Sequence, residues 1–419
     1  MRIAMVAIGS RGDVQPLLAL GSGLQAAGHE VAIAAGKNFQ ALVEDAGLGY
    51  HALQTDIEAL MNSQTGQDWV EEGTNSLKEA QHMRRVVDEM GEVLGQDILN
   101  ATREADCVIG GLTSAGHTQA VCEKFNKQHL IALFSPLNPT SRYAATMVPS
   151  VPKVNTFLNR FSGYGAQYFM HWVTKNAVNA FRSKLGLGSF HYGNYARLYN
   201  RQTTVLYAIS PLVMPRPAEW GSRIHVTGYW FYDAATDWQP SPALSAFLAA
   251  GETPVYIGFG SMPSKDPQGT AHMMIDALQM TGQRGIIQSG WAGLQADDLP
   301  DDIFLLDSAP HDWLFPRMKA VIHHGGAGTT SSALRAGVPS NIIAHMADQP
   351  YWGQRVHDLG VSGPFVYRHK LTTARLAKVI QNITQDMAMK DRAQLLGQKI
   401  RHEHGVANAV AIINAEIAR

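Results

Sequence analysis

Ten residues, Val321-Ile-His-His-Gly-Gly-Ala-Gly-Thr-Thr330, hold the densest chemistry in this 419-residue chain. An apolar run ends in two histidines, three glycines fall within four positions, and Thr329-Thr-Ser-Ser332 follows where a helix should open. Glycine lets a backbone approach a ligand closely and take a positive φ. The first turn of a helix carries N–H groups without intrahelical partners and the positive end of the dipole, which together suit a phosphate. The dipole alone contributes about 0.3–1 kcal/mol at an exposed site, whereas each hydrogen bond to a charged group contributes roughly 1.5–3 kcal/mol. A diphosphate at this turn should therefore be held chiefly by amides around Gly326, Ala327 and Gly328, by the Thr329 and Thr330 hydroxyls, and by a histidine. His324, nearer the glycine turn, is the expected contact, with His323 pointing into the fold.

Two further loops carry polar side chains at the ends of apolar runs. Asn341-Ile-Ile-Ala344 reads as a strand whose end leads into Asp348 and Gln349, donors and acceptors suited to sugar hydroxyls at the carboxyl edge of an open α/β sheet. Near the N-terminus, Gly9-Ser-Arg-Gly-Asp13 follows the first apolar run, with a helix expected to open at Val14 to Pro16. An aspartate there can cap the helix, worth about 1 kcal/mol, or take a proton from a reacting hydroxyl. His117, in Gly110-Gly-Leu-Thr-Ser-Ala-Gly-His117, also follows a strand, and both a structural role and assistance to Asp13 stay open. His402-Glu-His404 lacks metal-ligand spacing, and no metal site is read.

The elements that position these residues alternate between short apolar runs and helical patterns, the sign of parallel α/β layering. Strands are predicted at Ile3–Ile8, Glu30–Ala34, Cys107–Ile109, Leu130–Phe134, Val205–Ile209 and Ile224–Val226. A second series follows at Val255–Phe259, Gly285–Gln288, Ile303–Leu306, Val321–His323, Asn341–Ala344 and Pro364–Tyr367. The length exceeds what a single core usually serves, and the Pro-rich stretch from Pro211 onward places a boundary near 235, giving domains 1–235 and 236–419. Residues 155–187 carry aromatics at helical spacing, among them Phe169 and Trp172. They read as an amphipathic helical pair packing on the core, or as a wall of an apolar pocket with Met147 of the preceding loop at its rim.

Composition excludes several classes. Hydrophobic residues make up 45% and charged residues 16%, as in an ordinary globular protein. Lys plus Arg (34) balance Asp plus Glu (35), so chain-wide charge offers no basic field for nucleic acid or anionic lipid. Two cysteines, Cys107 in a strand and Cys122 in a helix, fit a reducing cytoplasm better than a disulfide scaffold. No window is long and apolar enough for a membrane span, and the first residues do not form a signal peptide.

Taken with Gly9–Pro16, Tyr256–Met262, Pro310–Phe315 and Gly337-Val-Pro339, the segments His323–Thr330 and Asp348–Gly353 resemble the signature of the large inverting glycosyltransferase family. Within it they are most similar to UDP-glucose:sterol glucosyltransferases and their bacterial relatives. The motifs run in order from residue 9 to 354. That resemblance implies a GT-B architecture, two Rossmann-like doubly wound domains facing each other across a cleft, acceptor in the first and nucleotide sugar in the second. It implies transfer of glucose from UDP-glucose to the hydroxyl of a hydrophobic acceptor such as a sterol, giving a β-glucoside, with no cofactor or metal beyond the co-substrate. Asp13 then takes the place of the histidine base of many relatives, Ser10 orients the acceptor, and Gly12 and Ser261 lie on the donor side. The loop Asp307–His311 reads the nucleobase through Ala309. Ser308 replaces the tryptophan of many plant relatives, leaving uridine and thymidine donors both open.

The alternative within the family is an antibiotic-type enzyme acting on a polyketide, flavonoid or peptide. A nucleotide-sugar epimerase or a silent sugar-nucleotide-binding subunit fits less well with the aromatic stretch and the Ser10/Asp13 loop. The resemblance also implies a terminal helix that returns to the first domain, although a helix capping its own domain would carry the same pattern. The chain is expected to correspond to the catalytic part of longer fungal relatives, without their membrane-targeting regions. Cytoplasmic location, no nucleic-acid partner and no transmembrane segment are expected; peripheral membrane contact and oligomeric state stay open.

Overall fold

The structure is a computed structural model that describes residues 1–54, 76–146, 157–233, 238–260, 266–288 and 299–419, without the side chains of 76–80 and 82. The chain divides into two compact units, Met1–Tyr232 with Glu403–Arg419, and Asp233–His402.

In the first unit seven strands form one parallel sheet. They are β1 (Arg2–Val6), β2 (Glu30–Gly36), β3 (Gly49–Leu53), β4 (Cys107–Gly110), β5 (Gln128–Leu133), β6 (Thr204–Tyr207) and β7 (Ile224–Val226), in the order β3-β2-β1-β4-β5-β6-β7. Six strands make the sheet of the second unit: β8 (Val255–Gly258), β9 (Gly285–Gln288), β10 (Ile303–Leu306), β11 (Ala320–His323), β12 (Ser340–Ala344) and β13 (Val366–Tyr367), in the order β10-β9-β8-β11-β12-β13. Both are Rossmann-like sheets. The central strands are buried along their whole length, because helices cover both faces, and this explains why they read as unbroken apolar runs rather than alternating ones. In each sheet the order reverses once, between β1 and β4 and between β8 and β11. Chains leaving the carboxyl ends of those two strands turn to opposite faces, so a crevice opens between their loops.

The edge strand β3 has no counterpart among the predicted strands. It is largely exposed, so Gly-Tyr-His-Ala-Leu lacks the apolar run that marked the others. The aromatic stretch also differs from expectation. It forms one helix, Phe157–Lys184, not a pair, and of its aromatics only Phe181 is fully in the core. This helix packs on the helices Ser76–Thr102 and Ala115–Phe125 through small residues: a β-carbon at Gly91 would collide with Ala177, and one at Gly116 with Val178. Both cysteines are free and buried.

Residues Glu403–Arg419 complete the first unit. The helix Gly405–Ile417 lies on the helix Arg11–Ala26, where Val406 and Val410 fill the space left by Gly23, and Ala409 and Ile413 join the apolar core under β1 and β2. Asn414 bonds the His29 ring at 2.7 Å.

Two histidines of the first unit are enclosed. His129 meets the Thr118 hydroxyl at 2.9 Å, and burial pushes its pKa down to about 3. His117 is 1% exposed, packs against Phe181 at 5.5 Å, and burial lowers it to about 4. An unfolded histidine titrates near about 6.5, so the unfolded chain takes up protons first as the pH falls. The stability held by the neutral rings is present above that value and lost as pH drops toward 4. For His117 the loss at pH 5 is about 2 kcal/mol. The urea midpoint should therefore fall between pH 7.5 and pH 5, and His117→Gln should be less acid-sensitive by about that amount; equal sensitivity in both proteins would contradict the assignment.

Candidate active site

The reversal point of the second sheet gathers residues expected on the donor side. β8 runs into Phe259 and Gly260, and β11, its parallel neighbour, runs into His324-Gly-Gly326. Gly325 has φ +95°, and a side chain there would strike Ile342, so only glycine makes this turn without strain. The helix Ala327–Ala336 starts at once with Gly326 as its cap, which has no side chain to satisfy the first amides. The N–H groups of Ala327, Gly328 and Thr329 thus have no partner within the helix. The His324 ring stands over this opening: a β-carbon on Gly326 would come within 2.6 Å of Nε2, and one on Gly260 within 3.3 Å of Cε1. Its Nδ1 is buried without a hydrogen-bond partner among the described residues, and burial lowers its pKa to about 4. At neutral pH the His324 ring is therefore uncharged. His323 is fully buried, as expected, and its Nδ1 accepts the Gly325 N–H at 3.1 Å, bracing the turn from inside.

The hydroxyl run departs from expectation at Thr330. Its Oγ1 donates to the Gly326 carbonyl at 2.9 Å and the residue is 1% exposed, so it stiffens the helix start instead of facing a ligand. Thr329 remains half-buried at the turn. After β12, Gln349 accepts from the amides of His345 (2.7 Å) and Met346 (3.1 Å) and is 6% exposed. Its side-chain carbonyl therefore pins the loop, in which Ala347 sits at φ +53°. Asp348 is held by the indole N–H of the buried Trp352 at 2.8 Å, which fixes the direction of its carboxylate. Ala309, after β10, is half-buried against the apolar cluster containing Leu314 and Phe315. Trp313 packs on Trp238 at 5.0 Å beneath Arg317, as a core residue would. Ser261 lies outside the described residues.

Two side chains escaped sequence reasoning. His345 stands edge-on to Phe259 at 5.2 Å, and burial lowers its pKa to about 3. Arg368, just past β13, donates to the Thr270 hydroxyl at 2.6 Å and its charge acts on His345. It is a cation at the same sheet edge as the glycine turn, and its position after the last short strand gave no motif to recognise.

The reversal point of the first sheet carries Asp13. Here the helix begins at Arg11, earlier than expected, and the cap is Ser10, not Asp13. Ser10 Oγ accepts the Gly12 amide at 3.3 Å, while Asp13 Oδ2 accepts the Ser10 amide at 2.8 Å and lies 3.4 Å from its hydroxyl, a reciprocal capping box. Gly9, at φ +145°, leaves the room into which this carboxylate folds back. The box fixes the rotamer of a half-buried Asp13 at the carboxyl end of β1, where the helix dipole favours negative charge. Gly12 is exposed in the same turn. His117, beyond β4, has no partner for either ring nitrogen among the described residues and is closed from solvent, as a core residue is. Phe169 and Trp172 stack at 6.3 Å, half-buried, with Arg84 over the indole at 4.7 Å. Met147 lies outside the described residues. Among the described residues no group of acidic, histidine or cysteine side chains is placed to hold a metal, and no helix is long and apolar enough to cross a membrane.

Two Rossmann-like units with parallel sheets of seven and six strands match the GT-B architecture of glycosyltransferases. The solved glycotransferase of kitacinnamycin shares the fold at TM-score 0.71, with 18% identity over 99% of this chain and 98% of that one. Residues 3–100 match the glycosyltransferase family 28 N-terminal domain, and 286–411 match the erythromycin biosynthesis protein CIII-like C-terminal domain. A sterol 3-beta-glucosyltransferase of Arabidopsis thaliana is 34% identical over 98% of this chain, which spans 64% of that protein. An O-mycaminosyltylonolide 6-deoxyallosyltransferase of Streptomyces fradiae is 33% identical over 99% of this chain and 97% of its own length. The chain belongs to the glycosyltransferase family that contains these enzymes.

Replacing His324 by Ala should weaken uridine diphosphate binding about tenfold or more, the loss of one hydrogen bond to a charged group. Calorimetric titration measures it, and unchanged affinity would remove His324 from the diphosphate site.

Proposed function

We propose that the protein transfers glucose from UDP-glucose to the hydroxyl of a flat hydrophobic acceptor of the sterol class, with inversion to a β-glucoside. The observation that carries this reading is the neutral His324 ring over the open amides of Ala327, Gly328 and Thr329, a place shaped for a diphosphate leaving group. As the bond from the anomeric carbon to the diphosphate oxygen breaks, negative charge grows on the leaving group. Preorganised amides and His324 stabilise that charge without reorganising. Arg368 adds a positive field at the same edge. Asp348, its carboxylate direction fixed by Trp352, is the acceptor for a sugar hydroxyl.

On the acceptor side Asp13 takes the hydroxyl proton as the new bond forms. Its capping box matters here, because a base whose rotamer is already fixed loses less freedom when the acceptor arrives. Phe169 and Trp172 present aromatic surface to the acceptor. Atoms balance in one displacement: the acceptor oxygen bonds to the anomeric carbon, the diphosphate departs with the electron pair, and the proton stays on Asp13. Similarity to the plant sterol enzyme supports the sterol acceptor.

A second reading, transfer of a thymidine-linked deoxysugar to a macrolide, is supported by the Streptomyces fradiae relative, which this chain matches over nearly its whole length. A screen of UDP-glucose and thymidine diphosphate glucose against sterols and macrolides separates the two. In the same assay Asp13→Asn, which can still accept the capping bond, should lower transfer by about 10²–10⁴-fold while uridine diphosphate binding holds within about twofold. Activity within tenfold of the parent would remove Asp13 as the base.

A further inference from the structure

Between Glu123 and Glu219 the chain has no aspartate or glutamate, yet eleven lysines and arginines fall in that stretch. The chain-wide balance of net −1 conceals this basic segment, and the expectation that no basic field exists for anionic lipid does not hold locally. The helix Phe157–Lys184 runs through its middle and carries no acidic residue at all.

One face of the first half of this helix is apolar and open to solvent. Phe157 is 73% exposed, Phe161 55%, Tyr164 39% and Tyr168 56%, spaced by four, three and four residues, so they line one side. Leu158 flanks them at 61% exposed. Phe157 and Phe161 pack edge to face at 4.4 Å, and Tyr168 meets Tyr192 at 5.3 Å. The opposite face, with Gly163, Ala166 and Met170, is buried in the unit, so the stripe is surplus to the core. Lys175 continues the line of the stripe two turns beyond Tyr168, and Arg160 stands exposed beside Phe161. Among the described residues, carboxylates meet the helix in its second half and at its near end: Asp88 accepts from Asn176 at 2.9 Å, Arg182 pairs with Glu123 and Lys184 with Glu92, while Glu219 lies in the field of Arg160.

We propose that this face docks the protein on the surface of an anionic bilayer. The aromatic side chains enter the headgroup boundary, where tyrosine and phenylalanine side chains of amphipathic helices settle, and the basic surroundings meet lipid phosphates. A basic residue near such a surface contributes about fivefold in affinity. A second copy of the chain is a poorer occupant, because two helices that carry basic but no acidic residues would be brought together. The inference rests on charge and exposure alone and is independent of the reaction proposed above.

Cosedimentation of the full chain with vesicles tests it, using phosphatidylcholine alone and phosphatidylcholine mixed with phosphatidylglycerol. Binding is expected only to the mixed vesicles and should fall at least tenfold between about 0.1 M and about 1 M salt, as the screening length shrinks from about 10 to about 3 Å. The doubly substituted Phe161→Ser/Tyr168→Ser and Arg160→Glu/Lys175→Glu proteins should each bind at least tenfold more weakly, with melting temperatures close to the parent's, since all four side chains lie outside the core. Equal binding to neutral vesicles, no binding to either, or parent-like binding by the substituted proteins would overturn the proposal. So would a dimer of the parent chain that Phe161→Ser/Tyr168→Ser dissociates, which would assign the face to a second copy.

Discussion

The reversal of strand order within each parallel sheet is the constraint from which the chemistry follows. A parallel sheet whose chain crosses over on both faces must part its loops where the order turns back. In the first unit that place falls between β1 and β4 and delivers the Gly9–Asp13 turn; in the second it falls between β8 and β11 and delivers Gly260 and the His324–Gly326 turn. The candidate site residues Asp13 and His324 stand at these two points, where backbone amides and helix starts are exposed while the rest of the strand is sealed.

At both points short residues make room for a particular side chain. Gly9 clears the space into which Asp13 folds against the Ser10 amide, and Gly326 clears the space under the His324 ring. The glycines are therefore as much a part of the chemistry as the groups they admit. Electrostatics divides the labour differently in the two places. Desolvation keeps His323, His324 and His345 neutral, so on the proposed reading a ligand's charge would be met by amides, a dipole and Arg368 rather than by imidazolium.

Much of this could be read before any coordinates. Buried strands announce themselves as apolar runs, and Gly285–Gln288 was legible to the residue; so were the edge strands Ile224–Val226 and Ile303–Leu306, which are only partly buried but keep apolar residues. Edge strand β3 was not, since it is exposed along most of its length and carries no apolar run. At the site, residue types gave the turn but not the partners. Whether Thr330 faces a ligand or bonds back to Gly326, or whether Ser10 or Asp13 caps the helix, depends on a register of one to three residues that composition does not encode. Arg368 was invisible because it reaches the site by tertiary packing from the last short strand, and His345, though beside the Asp348 segment, was given no role because its contact with Phe259 is tertiary. Net charge misled for a similar reason: an average over the chain cannot see an acid-free segment within it.

The most direct measurement is a crystal structure of the protein with uridine diphosphate diffused in. The diphosphate oxygens are predicted to lie within hydrogen-bond distance of the Ala327, Gly328 and Thr329 amides and of His324 Nε2. A nucleotide bound elsewhere on the chain, with the glycine turn left open, would contradict the assignment of this turn to the donor.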